Sequence, residues 1–282
     1  MDGRHGDTIG NGDGVSLEAA YKSKLNPLLS RIMKTALLSD IHANPRALEA
    51  CLAHAETCGA DRFAVLGDSV GYGAQPVEVI RRLRKLVRAG AIVLKGNHDE
   101  LAVTPPEHAR TLDEGGADWT HRQLDAADLS FLDALPMSAI DGAVYLVHAS
   151  ADAPHRWYYV DNEHRAAASL NTACEHPGVR YVFGGHVHEQ SLYFHGAGHG
   201  LMRFQPVPGV PIPVPPHRRW IATVGSVGQP RDGNPDAMYA IFNAARAELT
   251  FHRVAYDHMA AADDIRAAGL PEFFAQRLEL GL

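Results

Sequence analysis

Five times along this chain, an apolar run that reads as a β-strand stops at a residue able to bind a metal. Residues 35–39 (TALLS) run into Asp40-Ile41-His42, and 62–66 (RFAVL) run into Gly67-Asp68. Residues 91–95 (AIVLK) run into Gly96-Asn97-His98-Asp99, the strand expected over 143–149 carries His148, and 180–184 leads into Gly185-His186-Val187-His188. In α/β sheets the carboxyl ends of strands open onto one crevice where ligands bind. Five such ends can therefore point into a single site, which requires a fold that gathers them.

The intervening segments supply that fold. An amphipathic helix is expected over 45–57, with Pro45 at its first turn and Gly59 as a stop. A second, over 76–89, carries a solvated basic face of Arg81, Arg82, Arg84, Lys85 and Arg88. These are strand–loop–helix units of an α/β sheet. Residues 116–134 read as one helix, another is expected near 161–175, and two more at the C-terminus. The second half is richer in strands, expected at 143–149, 180–184, 190–195, 201–205, 219–224, 237–243 and 247–254. Alternation around Tyr239, Ile241 and Phe251 marks half-buried antiparallel strands. The pattern suggests two sheets packed face to face with helices outside. Residues 206–216 (PVPGVPIPVPP) read as an extended, proline-stiffened surface loop, with a lid or docking segment as the alternative.

Composition narrows the function. A net charge of −7 argues against a nucleic-acid coat or an anionic-membrane binder, so phosphate recognition must come from a local site. No apolar run approaches the ~20 residues of a membrane-spanning helix. Residues 1–34, glycine-rich and polar at the start, are expected to be a flexible leader without the build of a signal peptide, and 35–282 a single domain. Cys51, Cys58 and Cys174 form no CxxC motif and read as free thiols in a reducing cytoplasm. The 17 histidines are the anomaly, several lying beside Asp, Asn or Gly.

Spacing within the clusters suits metal ligation. In Asp-x-His and His-x-His, extended residues two apart face the same way and can reach one ion. Glycine before Asp68, Asn97 and His186 permits a sharp turn and leaves room. Carboxylate, amide and imidazole without thiolate suit Mn, Fe, Zn, Ni or Co, and Asp68 is the natural bridge between two ions. Two such divalent or trivalent ions, ~3.5–4 Å apart, would turn a bridging water into hydroxide and neutralise a phosphate. His98 is the candidate general acid for the leaving oxygen, oriented by Asp99 or Asp40.

The joint pattern D-x-H, G-D, G-N-H-[D/E], H and G-H-x-H resembles the calcineurin-like metallophosphoesterase superfamily over about residues 35–255. The resemblance implies a four-layer α/β/β/α sandwich of two mixed sheets. It implies one metal at Asp40, His42, Asp68 and His188, a second at Asp68, Asn97, His148 and His186, and substrate contact at His98. The loop Gly67-Asp68-Ser69-Val70-Gly71-Tyr72-Gly73 lacks the second Asp and the Arg of the protein-phosphatase pattern G-D-x-x-D-R-G. With Ser39-Asp40-Ile41-His42-Ala43-Asn44 and 225–231 (GSVGQPR), it looks like the compact bacterial phosphodiesterase branch.

The expectation is thus hydrolysis of a small phosphoester, nucleotides included, by a metal-dependent phosphodiesterase or phosphatase. The alternatives are a dinucleoside-polyphosphate or protein phosphatase, and a scaffold that keeps the fold without catalysis. Arg231 and Asn97 are the expected substrate contacts, although Arg231 could instead pair with Asp232 in its turn. The segment 155–159 (HRWYY) reads as loop packing, with base stacking as the alternative. His195, His199, His217, His252 and His258 have no ligand spacing and read as surface residues.

Overall fold

The computed structural model describes residues 33–196 and 200–282. Strand β1 (Lys34–Leu38) shows how the layers arise. Successive strand side chains point to opposite faces, and here both faces are apolar. Ala36 and Leu38 pack under helices α1 (Pro45–Thr57) and α2 (Pro76–Arg88), among Leu48, Leu52, Val79 and Leu83. Leu37 points the other way, into a core shared with Phe183, Leu192, Ala222 and Phe251.

The first sheet runs β3 (Ile92–Val93), β2 (Arg62–Val65), β1, β11 (Ala237–Asn243), β12 (Glu248–Val254), β9 (Ile212–Pro213). The second runs β4 (Ser138–Asp141), β5 (Val144–Val147), β6 (Tyr181–Gly184), β10 (Trp220–Val224), β7 (Gln190–His195), β8 (Leu201–Phe204). Both are mixed: β1, β2 and β3 are parallel in one, and β5, β6 and β10 in the other, with antiparallel strands completing each. Helix α6 (Glu163–Ala173) closes the far side of the second sheet by packing Ala166, Leu170 and Ala173 on Tyr145, Val182, Tyr193 and Ile221. The result is the expected α/β/β/α sandwich.

Several elements differ from the sequence reading. The helix expected over 116–134 is two, α4 (Leu112–Gln123) and α5 (Ala126–Asp133). Asp125 breaks it by accepting from the Asp128 amide at 2.7 Å, an N-cap that competes with helix continuation. A helix, α3 (Asn97–Val103), begins directly at the Asn97 cluster. The proline-rich stretch contains β9, whose Ile212 and Pro213 pair with the edge of β12, a position where a missing amide is tolerated. Strand β4 was not anticipated; its short, half-buried Ser138–Asp141 run lacks a clear apolar face.

Residues 1–32 of the expected leader, and His199, lie outside the described residues. The basic face of α2 is partly paired, Arg82 with Glu49 at 2.7 Å and Arg84 with Asp128 at 3.1 Å. Among the described residues, no helix is long and apolar enough to cross a membrane. Helices α7 (His258–Ala267) and α8 (Glu272–Leu280) pack Ile265, Phe274 and Leu278 around Tyr72, bringing the C-terminus beside the loop that follows β2.

Candidate metal centre

The ends of β1, β2, β5 and β6 and the start of α3 converge, and their loops are stitched by backbone hydrogen bonds. Asp40 N donates to Gly67 O at 3.0 Å, His42 N to Asp68 O at 3.0 Å, and Gly185 N to His148 O at 2.8 Å. Five of the seven expected ligands have positive φ: Asp40 (54°), His42 (50°), Asp68 (52°), His186 (67°) and His188 (62°). Non-glycine residues rarely adopt this conformation, and strain of this kind clusters at functional sites. Glycine serves two different purposes here. Gly67, at φ 104°, supplies the turn before Asp68. Gly96 and Gly185 supply space, since a Cβ on Gly96 would strike the Asp68 carboxylate and one on Gly185 would strike Ser39 and Asp40.

The donors fall into two groups, Asp40–His42–His188 and Asp68–His148–His186, all buried. In the first group, His42 Nδ1 lies 3.2 Å from Val70 O and His188 Nδ1 lies 2.6 Å from Gln229 O. A carbonyl accepts only, so each Nδ1 carries the proton and each Nε2 presents a lone pair. Those two Nε2 atoms face each other at 3.1 Å. Asp40 Oδ1, buried and without a hydrogen-bond donor, stands 3.2 Å from His188 Nε2. Three lone-pair donors facing inward is an arrangement that a cation relieves. Metal-bound imidazoles commonly give their other N–H to a carbonyl in this way.

The second group repeats the scheme. His148 Nδ1 is 2.8 Å from Leu66 O, and its Nε2 is 3.1 Å from Asn97 Oδ1 and 3.4 Å from Asp68 Oδ2. His186 is reversed: Nε2 meets Trp157 O at 2.9 Å, leaving Nδ1 for the centre. The same Asp68 Oδ2 is 3.8 Å from His42 Nε2, so this one oxygen lies between the groups. The residues present thus fit ions with nitrogen and oxygen ligands.

Burial holds His42 well below the ordinary imidazole range, and His188 beside it adds to the effect. His186 is pushed down to about 4 by burial and by His148. His148 differs: burial opposes its charge, yet Asp68 and Asp40 lift it to about 9. Burial works against Asp40 and Asp68 too, but His188 and His148 respectively hold these carboxyls in the ionised form. The centre therefore combines ionised carboxylates with two imidazoles, His42 and His186, that resist protonation, as ligation requires.

Comparison with known proteins gives the family. The family model for the calcineurin-like phosphoesterase superfamily domain matches residues 33–247. The chain belongs to that superfamily. A metallophosphoesterase of Sphaerobacter thermophilus is similar in structure, with 35% identity, a TM-score of 0.79, and 89% of this chain and 100% of that one covered. An uncharacterized protein of Methanocaldococcus jannaschii is 32% identical over 87% of this chain and 97% of its own. A hypothetical protein of Pyrococcus horikoshii OT3 shares the fold at 19% identity, with a TM-score of 0.70 over 89% of this chain and 99% of that one.

Around the centre stand residues that the sequence reading placed differently or missed. His98 sits beside it as expected, its ring 5.0 Å from that of His42 and 4.4 Å from that of Tyr72, with its amide on Asp68 Oδ1 at 2.8 Å. Asp99 turns away from that ring. Its carboxylate accepts from the amides of Ser69 (2.9 Å), Val70 (3.2 Å) and Gly96 (3.0 Å), clamping two ligand loops together. Burial and the Asp68 charge nevertheless push the Asp99 carboxyl up to about 7.

Arg231 donates to Gln229 Oε1 at 2.9 Å and lies 5.7 Å over the Tyr72 ring, while its buried Nε has no partner. Asp232 pairs with Arg253 and not with Arg231, so the turn pair considered above does not form. Tyr159 stacks on His186 at 4.1 Å, and Trp157 orients that ring, so the aromatic segment after His148 serves the centre directly. Arg277 of α8 reaches Gln229 and lies 5.8 Å over Tyr72. Its distance in sequence left no signal to find it by.

Proposed function

We propose that the chain is an enzyme that hydrolyses a small phosphoester with two metal ions. One ion would be held by Asp40, His42, Asp68 and His188, the other by Asp68, Asn97, His148 and His186. The observation that carries this reading is the pair of imidazole Nε2 lone pairs facing each other at 3.1 Å beside an unpartnered, buried carboxylate oxygen. Superfamily membership supports metal-dependent phosphoester hydrolysis as the general chemistry. Bound there, the ions would activate a water as nucleophile and neutralise charge on the phosphate.

The chain's own residues do the rest. Asp68, whose Oδ2 lies between the two groups, would serve as a ligand to both ions. His98, 6% exposed and held against Tyr72, gives a proton to the leaving oxygen. Asp99 acts as a positioning residue by fixing the loops of Asp68 and Asn97. Arg231, whose Nε lacks a partner, binds a phosphate oxygen, and Asn97 is the second substrate contact. The donor set accommodates Mn, Fe, Zn, Ni or Co, and the three free cysteines fit a cytoplasmic setting.

The test is a screen with Mn²⁺ and the other metals against phosphomonoesters, cyclic and linear diesters, and dinucleoside polyphosphates. Turnover of one class, abolished by chelation, is expected. A folded, metal-loaded chain that turns over none of them would favour the scaffold reading.

A further inference from the structure

At the far end of α1 from the catalytic loops lies a second group of metal-ligating side chains: His54, Cys58 and His252. Their donor atoms all lie within 4.8 Å of one another, and all three residues are partly buried. The local fold explains the grouping. His54 and Cys58 are four residues apart, hence on one face of the helix end. Cys58 is the C-cap, its amide bonded to His54 O at 3.0 Å, and Gly59, at φ 76°, ends the helix there. His252 comes from β12, opposite Tyr239 of β11 in the strand register.

The distances fit a cation. Tetrahedral zinc, with bonds of about 2.3 Å to sulfur and 2.0–2.1 Å to nitrogen, separates the two donors by roughly 3.5 Å. Cys58 Sγ and His54 Nδ1 are 3.7 Å apart, and the His54 and His252 rings lie 5.2 Å from centre to centre. The buried Tyr239 hydroxyl reaches the same His54 Nδ1 at 2.6 Å, a hydrogen bond that an ion on Nδ1 would displace. His252 stacks on the Tyr239 ring at 4.9 Å, which fixes its imidazole beside His54. A thiol with two imidazoles and no carboxylate selects a softer ion than the catalytic centre does.

We propose that His54, Cys58 and His252 form a second, thiolate-containing metal site for Zn(II) or Cu(I), which ties the end of α1 to β12. It lies at the opposite end of α1, a helix about 20 Å long, from the catalytic loops. It shares no ligand with that centre and does not depend on the proposed activity. Its fourth position is open to solvent or to the Tyr239 oxygen.

The catalytic centre contains no thiolate, which makes the test selective. Co(II) titrated into the full chain, its catalytic centre already loaded with Mn²⁺, should give a near-ultraviolet thiolate-to-cobalt charge-transfer band that saturates at one ion per chain. The band should vanish in Cys58→Ser and fall at least tenfold in apparent affinity in His252→Gln. It should persist in Cys174→Ser and be bleached by Zn(II). Mn²⁺-dependent phosphoester turnover, where present, should be the same in Cys58→Ser as in the parent. Absence of the band in folded protein, or its survival unchanged in His252→Gln, would overturn the proposal.

Discussion

Asp40, His42, Asp68, His186 and His188 hold left-handed backbone conformations that side chains with a Cβ disfavour by about 1–2 kcal/mol per residue. Neighbouring loops hold them there, and the reward is that their donor atoms point inward together. His98 stands just outside that ring of donors, so its role separates from ligation. His98→Ala should retain metal yet lose roughly 10²–10⁴-fold in turnover on a phosphoester with a poor leaving group. On a nitrophenyl ester the loss should be much smaller, because that oxygen hardly needs a proton. Equal losses on both, measured by steady-state kinetics, would show that His98 does something else. At this scale the sequence was most informative about donors, because Asp-x-His puts two donors of one group side by side, whereas His186 and His188, expected to face the same way from extended backbone, take left-handed conformations and join different groups. It was blind to Arg277 and to the roles of Tyr72 and Tyr159, whose proximity to the centre is made only by packing. His252, read as a surface residue, is instead half-buried against His54 and Tyr239.

The elements are joined by a few polar side chains at their ends. Asn44 caps α1, its oxygen accepting from Ala47 N at 3.1 Å, while its amide donates to Gly228 O and to the Tyr256 hydroxyl, each at 3.1 Å. It thus connects the loop after β1 to the loop after β10. Asn44→Ala should cost about 0.5–2 kcal/mol for the lost cap, and more for the stranded Gly228 carbonyl. Urea denaturation would measure this, and a loss within error would show that water replaces those bonds. The junction of α1 with β12 carries a pH dependence. His252 is held at about 4 against an ordinary 6.5, so the unfolded chain takes up its proton first. Stability from this group is complete above pH 6.5 and is lost as pH falls toward 4. In chelated protein, His252→Gln should lose less stability than the parent across that window; parallel curves would contradict the assignment. Strong periodicity made α1, α2 and most strands legible. The break between α4 and α5 was not, because a single Asp125 cap outweighs a helical pattern that continues on both sides. Strands β4 and β9 escaped notice because they are short edge elements defined by their partners more than by their own residues.

Across the whole molecule, two sheets contribute to one centre: β1 and β2 from the first, β5 and β6 from the second. The face-to-face packing of Leu37, Phe183, Leu192 and Phe251 is what holds those strand ends in register. Asp68 stands between the two groups of donors, its Oδ2 3.8 Å from His42 Nε2 and 3.4 Å from His148 Nε2. Replacing it with Asn preserves shape and, in the two-ion account, would remove the charge that keeps two close cations from repelling each other. His188→Ala, by contrast, should weaken chiefly one site. The most direct measurement is metal content and turnover of Asp68→Asn, with circular dichroism to show that the fold persists. The two-ion account predicts metal depleted at both sites and no turnover even in excess Mn²⁺. Two tightly held ions with near-native turnover would contradict it.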